Sequence, residues 1–187
     1  MRLFVALEIP TAVRENLAAL LKSLLALSPD PRWVRAENLH VTLKFIGEWP
    51  PEKLDGLRNA LAAVRVDKPV TIDFRGLRFF PNEKRPRVFW AGIEASPNLI
   101  TLASEIDHTA EKLSIPREQR PFSPHLTLAR FEPPGLPEKL RATIQENAGR
   151  EFGSLHTNEF HLIESKLKPS GAEYTTVQTF PFAAAEA

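Results

Sequence analysis

Leu39-His40-Val41-Thr42-Leu43-Lys44-Phe45-Ile46-Gly47 and Phe122-Ser123-Pro124-His125-Leu126-Thr127-Leu128-Ala129-Arg130 decide how this chain is read. Each stretch carries the pattern His-x-Thr-Leu, and His40 lies 85 residues before His125. Both alternate like strands. Val41, Leu43 and Phe45 are expected on one face of the first, with His40, Thr42 and Lys44 on the other. Working outward, Pro51-Glu52-Lys53-Leu54 lies 86 residues before Pro137-Glu138-Lys139-Leu140, and Phe74 lies 86 before Phe160. Recurrence at nearly one offset reads as an internal duplication. The shared Pro-Glu-Lys-Leu taken alone is a common helix start, but the paired His-x-Thr strands are not so easily set aside.

The remaining segments fit that frame. Residues 2–8 read as a strand ended by Pro10, and Thr11 is the expected N-cap of a helix running to Leu27. Ser28-Pro29-Asp30-Pro31 breaks that helix. After the first His-x-Thr strand, Pro50 and Pro51 open a second helix with Leu54, Leu57, Leu61 and Val64 as its buried stripe. Strands are expected over 70–80 and 87–94, flanking a polar loop that includes Glu83. The order then begins again, with a helix over 97–113, a strand over 125–131, a helix over 136–148, and strands over 154–167 and 173–182. The expectation is an α+β fold: a single bilobal domain over 1–187, built as a pseudo-twofold duplication of approximately 1–86 and 87–187. Antiparallel sheets would carry helices on their outer sides and leave a central cleft.

Composition narrows the function. With 24 Lys+Arg against 23 Asp+Glu the net charge is +1, which argues against a protein that grips nucleic acid by bulk electrostatics. A local basic pocket stays open. The absence of cysteine removes disulfides, thiol nucleophiles and cysteine metal sites, and fits a reducing cytosol. The apolar start at Met1 is stopped by Glu8 and Pro10, short of a signal-peptide core, and the longest apolar run is cut by Lys22 and Ser23. A cytoplasmic protein with no membrane segment is expected. With 17 prolines the chain carries an excess, and that excess is mostly punctuation: Pro10, Pro50, Pro51, Pro97, Pro133, Pro134 and Pro137 fall at strand ends or helix starts.

Of five histidines, His40 and His125 begin equivalent strands, and residues two apart on a strand share a side. His40 therefore joins Thr42, and His125 joins Thr127. A pseudo-twofold would bring two imidazoles and two hydroxyls to one cleft, a set suited to a phosphodiester. Hydrolysis needs a base for water and an acid for the leaving oxygen, and imidazole serves either role near neutrality. Threonine hydroxyls can hold the non-bridging phosphate oxygens. Neither motif carries a carboxylate or second histidine at ligand spacing, so no metal is expected, and no glycine-rich nucleotide loop or serine-hydrolase elbow appears. His108, His156 and His161 are expected to be surface or packing residues. Spacing leaves open which of His40 and His125 is the acid.

These two motifs resemble those of the 2H phosphoesterases. The start Arg2-Leu3-Phe4-Val5-Ala6-Leu7 and the stretch from Phe80-Pro81 to Trp90-Ala91-Gly92 are similar to the RNA 2′,3′-cyclic phosphodiesterases, long called 2′-5′ RNA ligases. The resemblance implies a bilobal α+β fold and metal-independent opening of a 2′,3′-cyclic phosphate at an RNA end to a 2′-phosphate, without a cofactor. It implies His40 as proton donor, His125 as acceptor, and Arg130 in the phosphate site. Strict alternation turns Arg130 away from His125, so that role needs a bulge, a strand end or a long reach. The partner implied is RNA bearing a 2′,3′-cyclic phosphate end, met by a monomer. ATP-independent 2′-5′ RNA ligation and a non-catalytic RNA-end-binding module are the alternatives. For wider RNA contacts, Arg32, Arg35, Lys84, Arg85, Arg87, Arg117 and Arg120 cluster in expected loops, with Trp33, Phe80 or Phe122 able to stack on a base.

Overall fold

Proline stands at the entrance of each helix among the described residues of this computed structural model, which comprise 1–28, 32–82, 84–132 and 136–182. Pro10, Pro97 and Pro137 are the N-caps of α1 (Thr11–Leu27), α3 (Asn98–Glu111) and α4 (Glu138–Glu146). The helix α2 (Leu54–Ala62) follows a 3₁₀ turn, Pro51–Lys53, capped by Pro50. Thr11 is thus the first helical residue and not the cap. Pro10 has φ −63° and ψ 152°, and its carbonyl accepts the Arg14 N–H at 2.9 Å. A ring that fixes φ and removes an N–H supplies an entry angle and leaves one fewer orphan donor. Pro29, Asp30, Pro31, Glu83, Pro133 and Pro134 lie outside the described residues.

The strands are β1 (Arg2–Glu8), β2 (Arg32–Trp33), β3 (His40–Glu48), β4 (Val70–Phe80), β5 (Val88–Ala95), β6 (His125–Arg130), β7 (Glu151–Thr157), β8 (Glu159–Lys168) and β9 (Gly171–Pro181). They form two antiparallel sheets, ordered β3-β1-β8-β9 and β2-β6-β5-β4-β7. The single strand expected over 154–167 is two strands in different sheets. Thr157 explains the break: its hydroxyl donates to the Glu159 carbonyl and accepts the Glu159 N–H, a local turn that competes with the ladder.

Sheet order shows how the repeated units interlock. In the first sheet the His40 strand β3 pairs with β1, which pairs with β8. In the second the His125 strand β6 pairs with β5, which pairs with β4. Since Phe74 of β4 matches Phe160 of β8 in the repeat, each half of the chain sends its third strand to the other half's sheet.

Alternate positions on the strands, together with the helix stripes, feed one continuous apolar core. It includes Leu3 and Val5 of β1, Leu17 of α1, Leu57 of α2, Phe74 of β4, Leu99 of α3, Leu140 of α4 and Phe160 of β8. Truncating any of these to alanine would cost about 2–5 kcal/mol. The opposite face of the first sheet carries a smaller cluster of Phe4, Ala6 and Ile163 with Tyr174 against it. No described helix is long and apolar enough to cross a membrane.

Candidate active site

Both histidine strands carry the same irregularity. Along β1–β3, Ala6 pairs with Thr42 but Val5 pairs with Lys44, leaving Leu43 as an extra residue. Along β5–β6, Trp90 pairs with Thr127 but Phe89 pairs with Ala129, leaving Leu128 extra. Leu43 and Leu128 are 85 residues apart, so the bulge belongs to the repeat. A bulge inserts one residue and reverses the alternation beyond it. The burial follows: Leu43 and Lys44 are both buried in β3, and Leu128 and Ala129 both in β6.

This corrects the alternation expected for the first motif. Lys44 points inward at 2% exposure, while Phe45 turns out at 68%. In β6 the same reversal puts exposed Arg130 on the side of His125 and Thr127, so the bulge that Arg130 requires is present. Phe45 occupies the position in β3 that Arg130 occupies in β6. The structure thus gathers His40, Thr42 and Phe45 on one strand face and His125, Thr127 and Arg130 on another, and β3 and β6 touch.

Each imidazole is held in the same way. His40 Nδ1 lies 3.1 Å from the Asn38 carbonyl oxygen, and His125 Nδ1 lies 2.8 Å from that of Ser123. A carbonyl only accepts, so Nδ1 carries the proton in both rings and Nε2 is left for chemistry. A ring from the neighbouring strand stands edge-on to each: Phe4 at 6.2 Å from His40, and Trp90 at 5.8 Å from His125. Phe4 and Trp90 are 86 residues apart, a signal present in the sequence but visible only once the register is known. Tyr174 adds a second ring, 5.7 Å from His40.

The two sites differ in electrostatics. His40 is half-buried, His125 exposed. Burial pushes the His40 imidazole below the ordinary histidine value; the Asn38 carbonyl and Glu8 oppose this, while Arg14 and His161 reinforce it. His161 is the packing residue expected, 5% exposed with Nδ1 2.9 Å from the Thr179 hydroxyl oxygen. His108 and His156 are exposed.

Other expected contacts divide. Trp33 is structural: it packs on Phe89 and Phe131, and its indole N–H donates to the Ser28 carbonyl at 2.8 Å. Phe80 is 60% exposed, whereas Phe122 packs against the core. Arg32 and Arg35 are exposed and pair with Glu132 and Glu37, and Arg117 pairs with Asp107 and Glu111. Among the described residues, no three His, Cys, Asp or Glu side chains gather as a metal-holding group.

Comparison with known proteins matches the chain to the family described as LigT like phosphoesterase over residues 7–90 and 93–174. The chain is 34% identical over 180 residues to the RNA 2′,3′-cyclic phosphodiesterase of Archaeoglobus fulgidus, covering 96% of this chain and 99% of that one. It is 36% identical to the enzyme of that name from Thermus thermophilus, with 96% and 89% covered. Among solved structures, a Thermus thermophilus protein superposes with a TM-score of 0.80 at 32% identity over the whole of both chains. E. coli LigT complexed with 3′-AMP gives 0.78 at 28% identity, covering 97% and 98%.

Proposed function

The chain belongs to the LigT-like phosphoesterase family, and from that premise we propose that it hydrolyses the 2′,3′-cyclic phosphate of an RNA end to a 2′-phosphomonoester by metal-independent catalysis with two histidines. The observation that carries this reading is the matched pair of strands. Each has a histidine with Nδ1 tied to the carbonyl two residues before it, a threonine on the same face, and a bulge one residue later. The relatives named RNA 2′,3′-cyclic phosphodiesterase support the substrate class.

In this mechanism His125 Nε2 takes a proton from water as the water oxygen bonds to phosphorus. The bond from phosphorus to O3′ breaks, and His40 Nε2–H gives its proton to that oxygen. The products are a 3′-hydroxyl and a 2′-phosphate, and the two histidines exchange protonation states. Thr42 and Thr127 donate hydrogen bonds to the non-bridging oxygens, and the Arg130 guanidinium balances charge that builds there. A net charge of only +1 is no obstacle, because one terminal phosphate needs one local cation.

Each general catalyst contributes on the order of 10² to 10⁴ in rate. His40→Ala and His125→Ala should each lower turnover of a 2′,3′-cyclic-phosphate oligonucleotide by that factor while leaving the melting temperature near the parent value. Chelator should leave the rate unchanged. Retained turnover in either variant, inhibition by chelator, or a 3′-phosphate product would overturn the mechanism.

A further inference from the structure

The segment before each histidine crosses to the strand that carries the other. Ahead of His40, β2 pairs with β6, Trp33 opposite Ala129, and the Val34 N–H donates to the Leu128 carbonyl at 2.8 Å. The segment ahead of His125 is fastened to β3 by one side chain instead of a ladder. Lys44 Nζ donates to Asp107 Oδ1 on α3 at 2.7 Å, to the Pro116 carbonyl at 2.7 Å and to Glu118 Oε1 at 3.4 Å. Asp107 Oδ1 also accepts the Glu118 N–H at 3.3 Å. The two arrangements occupy matching places. Glu118 precedes His125 by the same seven residues as Trp33 precedes His40, and Lys44 is the repeat partner of Ala129.

We propose that Lys44 is a positioning residue that fixes His125 relative to His40 by bracing the 112–124 segment against β3, in the place where the other half uses β2–β6 pairing. The ammonium has three donors and three acceptors, and its side chain is 1% exposed, so it has one arrangement available. Downstream, Pro121 and Pro124 stiffen the path to His125, whose Nδ1 is held by the Ser123 carbonyl. A shift at Pro116 or Glu118 is therefore carried to the imidazole. The Asp107 carboxyl fits this role: burial would raise it, but the Lys44 ammonium, the Glu118 N–H and Arg117 hold it below the usual range.

The inference rests on the proposed hydrolysis, and its test separates the two. Lys44→Met leaves the Asp107 carboxylate with only the longer contact from Arg117 Nε at 3.6 Å, so it is compared with Lys44→Met/Asp107→Asn, which removes both charges and keeps an acceptor for the Glu118 N–H. Each is measured for melting temperature, for kcat and KM on a 2′,3′-cyclic-phosphate oligonucleotide, and for amide hydrogen exchange. Misplacing a catalytic group by about 1 Å can cost about a hundredfold in rate. The double variant should regain most of the melting temperature lost in Lys44→Met, yet keep kcat roughly ten- to a hundredfold down with KM within about threefold. Exchange should rise over 112–124 and not in the core strands. Recovery of kcat together with melting temperature, or unchanged exchange over 112–124, would overturn the brace. If the unaltered protein failed to hydrolyse the substrate, the proposed function would fall, and the exchange measurement would still decide the brace.

Discussion

His40 is asked to give up a proton from an environment that disfavours holding one. Burial lowers its imidazole below the ordinary value of about 6.5, with Arg14 and His161 adding to the effect and the Asn38 carbonyl and Glu8 working against it. A general acid must be protonated when the substrate arrives, so one limb of the kcat/KM profile should report the His40 value of the free protein. That limb should lie below about pH 6.5. Once a phosphate anion is bound beside the ring, the imidazolium is favoured, so the matching limb in kcat should move up in pH. The charged neighbours give a signed test. Arg14→Gln removes a cation and should shift the limb of kcat/KM that reports His40 upward in pH, while Glu8→Gln should shift it downward. If neither limb moved in either variant, the kcat/KM profile would not be reporting His40.

The element that matters most here is the bulged strand beside its glycine-containing partner. Gly92 of β5 pairs with His125, and a β-carbon there would lie well inside contact distance of the Arg75 carbonyl oxygen on β4. Backbone cannot swing aside as a flexible side chain can. Gly92→Ala should cost about 1–3 kcal/mol through forced backbone shifts. At roughly 2–4 °C per kcal/mol for a chain of this size, a thermal melt reads it directly. Turnover should drop with it, because the displaced strand is the one paired with His125. Gly56 in α2 is the control, since nothing lies within 4 Å of its β-carbon. Gly56→Ala should leave activity unchanged and raise stability by up to about 1 kcal/mol through helix propensity. A melting temperature unchanged in Gly92→Ala would refute the packing argument.

At the scale of the molecule, what the sequence discloses and what it hides have one physical origin. Periodicity revealed the helices, and repetition revealed the paired histidines with their threonines, because both are local patterns. The bulges at Leu43 and Leu128 are invisible to an alternation rule, so Lys44 and Phe45 are placed on the wrong faces by sequence and only the ladder registers correct them. The third-strand exchange is hidden for the same reason, since pairing of β1 with β8 and of β4 with β7 joins residues far apart in the chain. That exchange has a measurable consequence for the duplication. Residues 1–86 hold β3 and β1 without β8, and hold β4 without either of its neighbours; residues 87–187 hold β6 and β5 without β4, and hold β8 with β9 but without β1. Each half alone would expose unpaired strand edges and half of one continuous core. We propose that the halves are repeats in sequence but one unit in folding. Expressed separately, 1–86 and 87–187 should show no cooperative melt. Co-expressed, they should copurify as a one-to-one complex that melts cooperatively and hydrolyses cyclic-phosphate RNA, because the cut falls between β4 and β5 and interrupts neither strand. A cooperative melt from either half by itself would mean that the exchanged strands are dispensable and that each repeat is a domain.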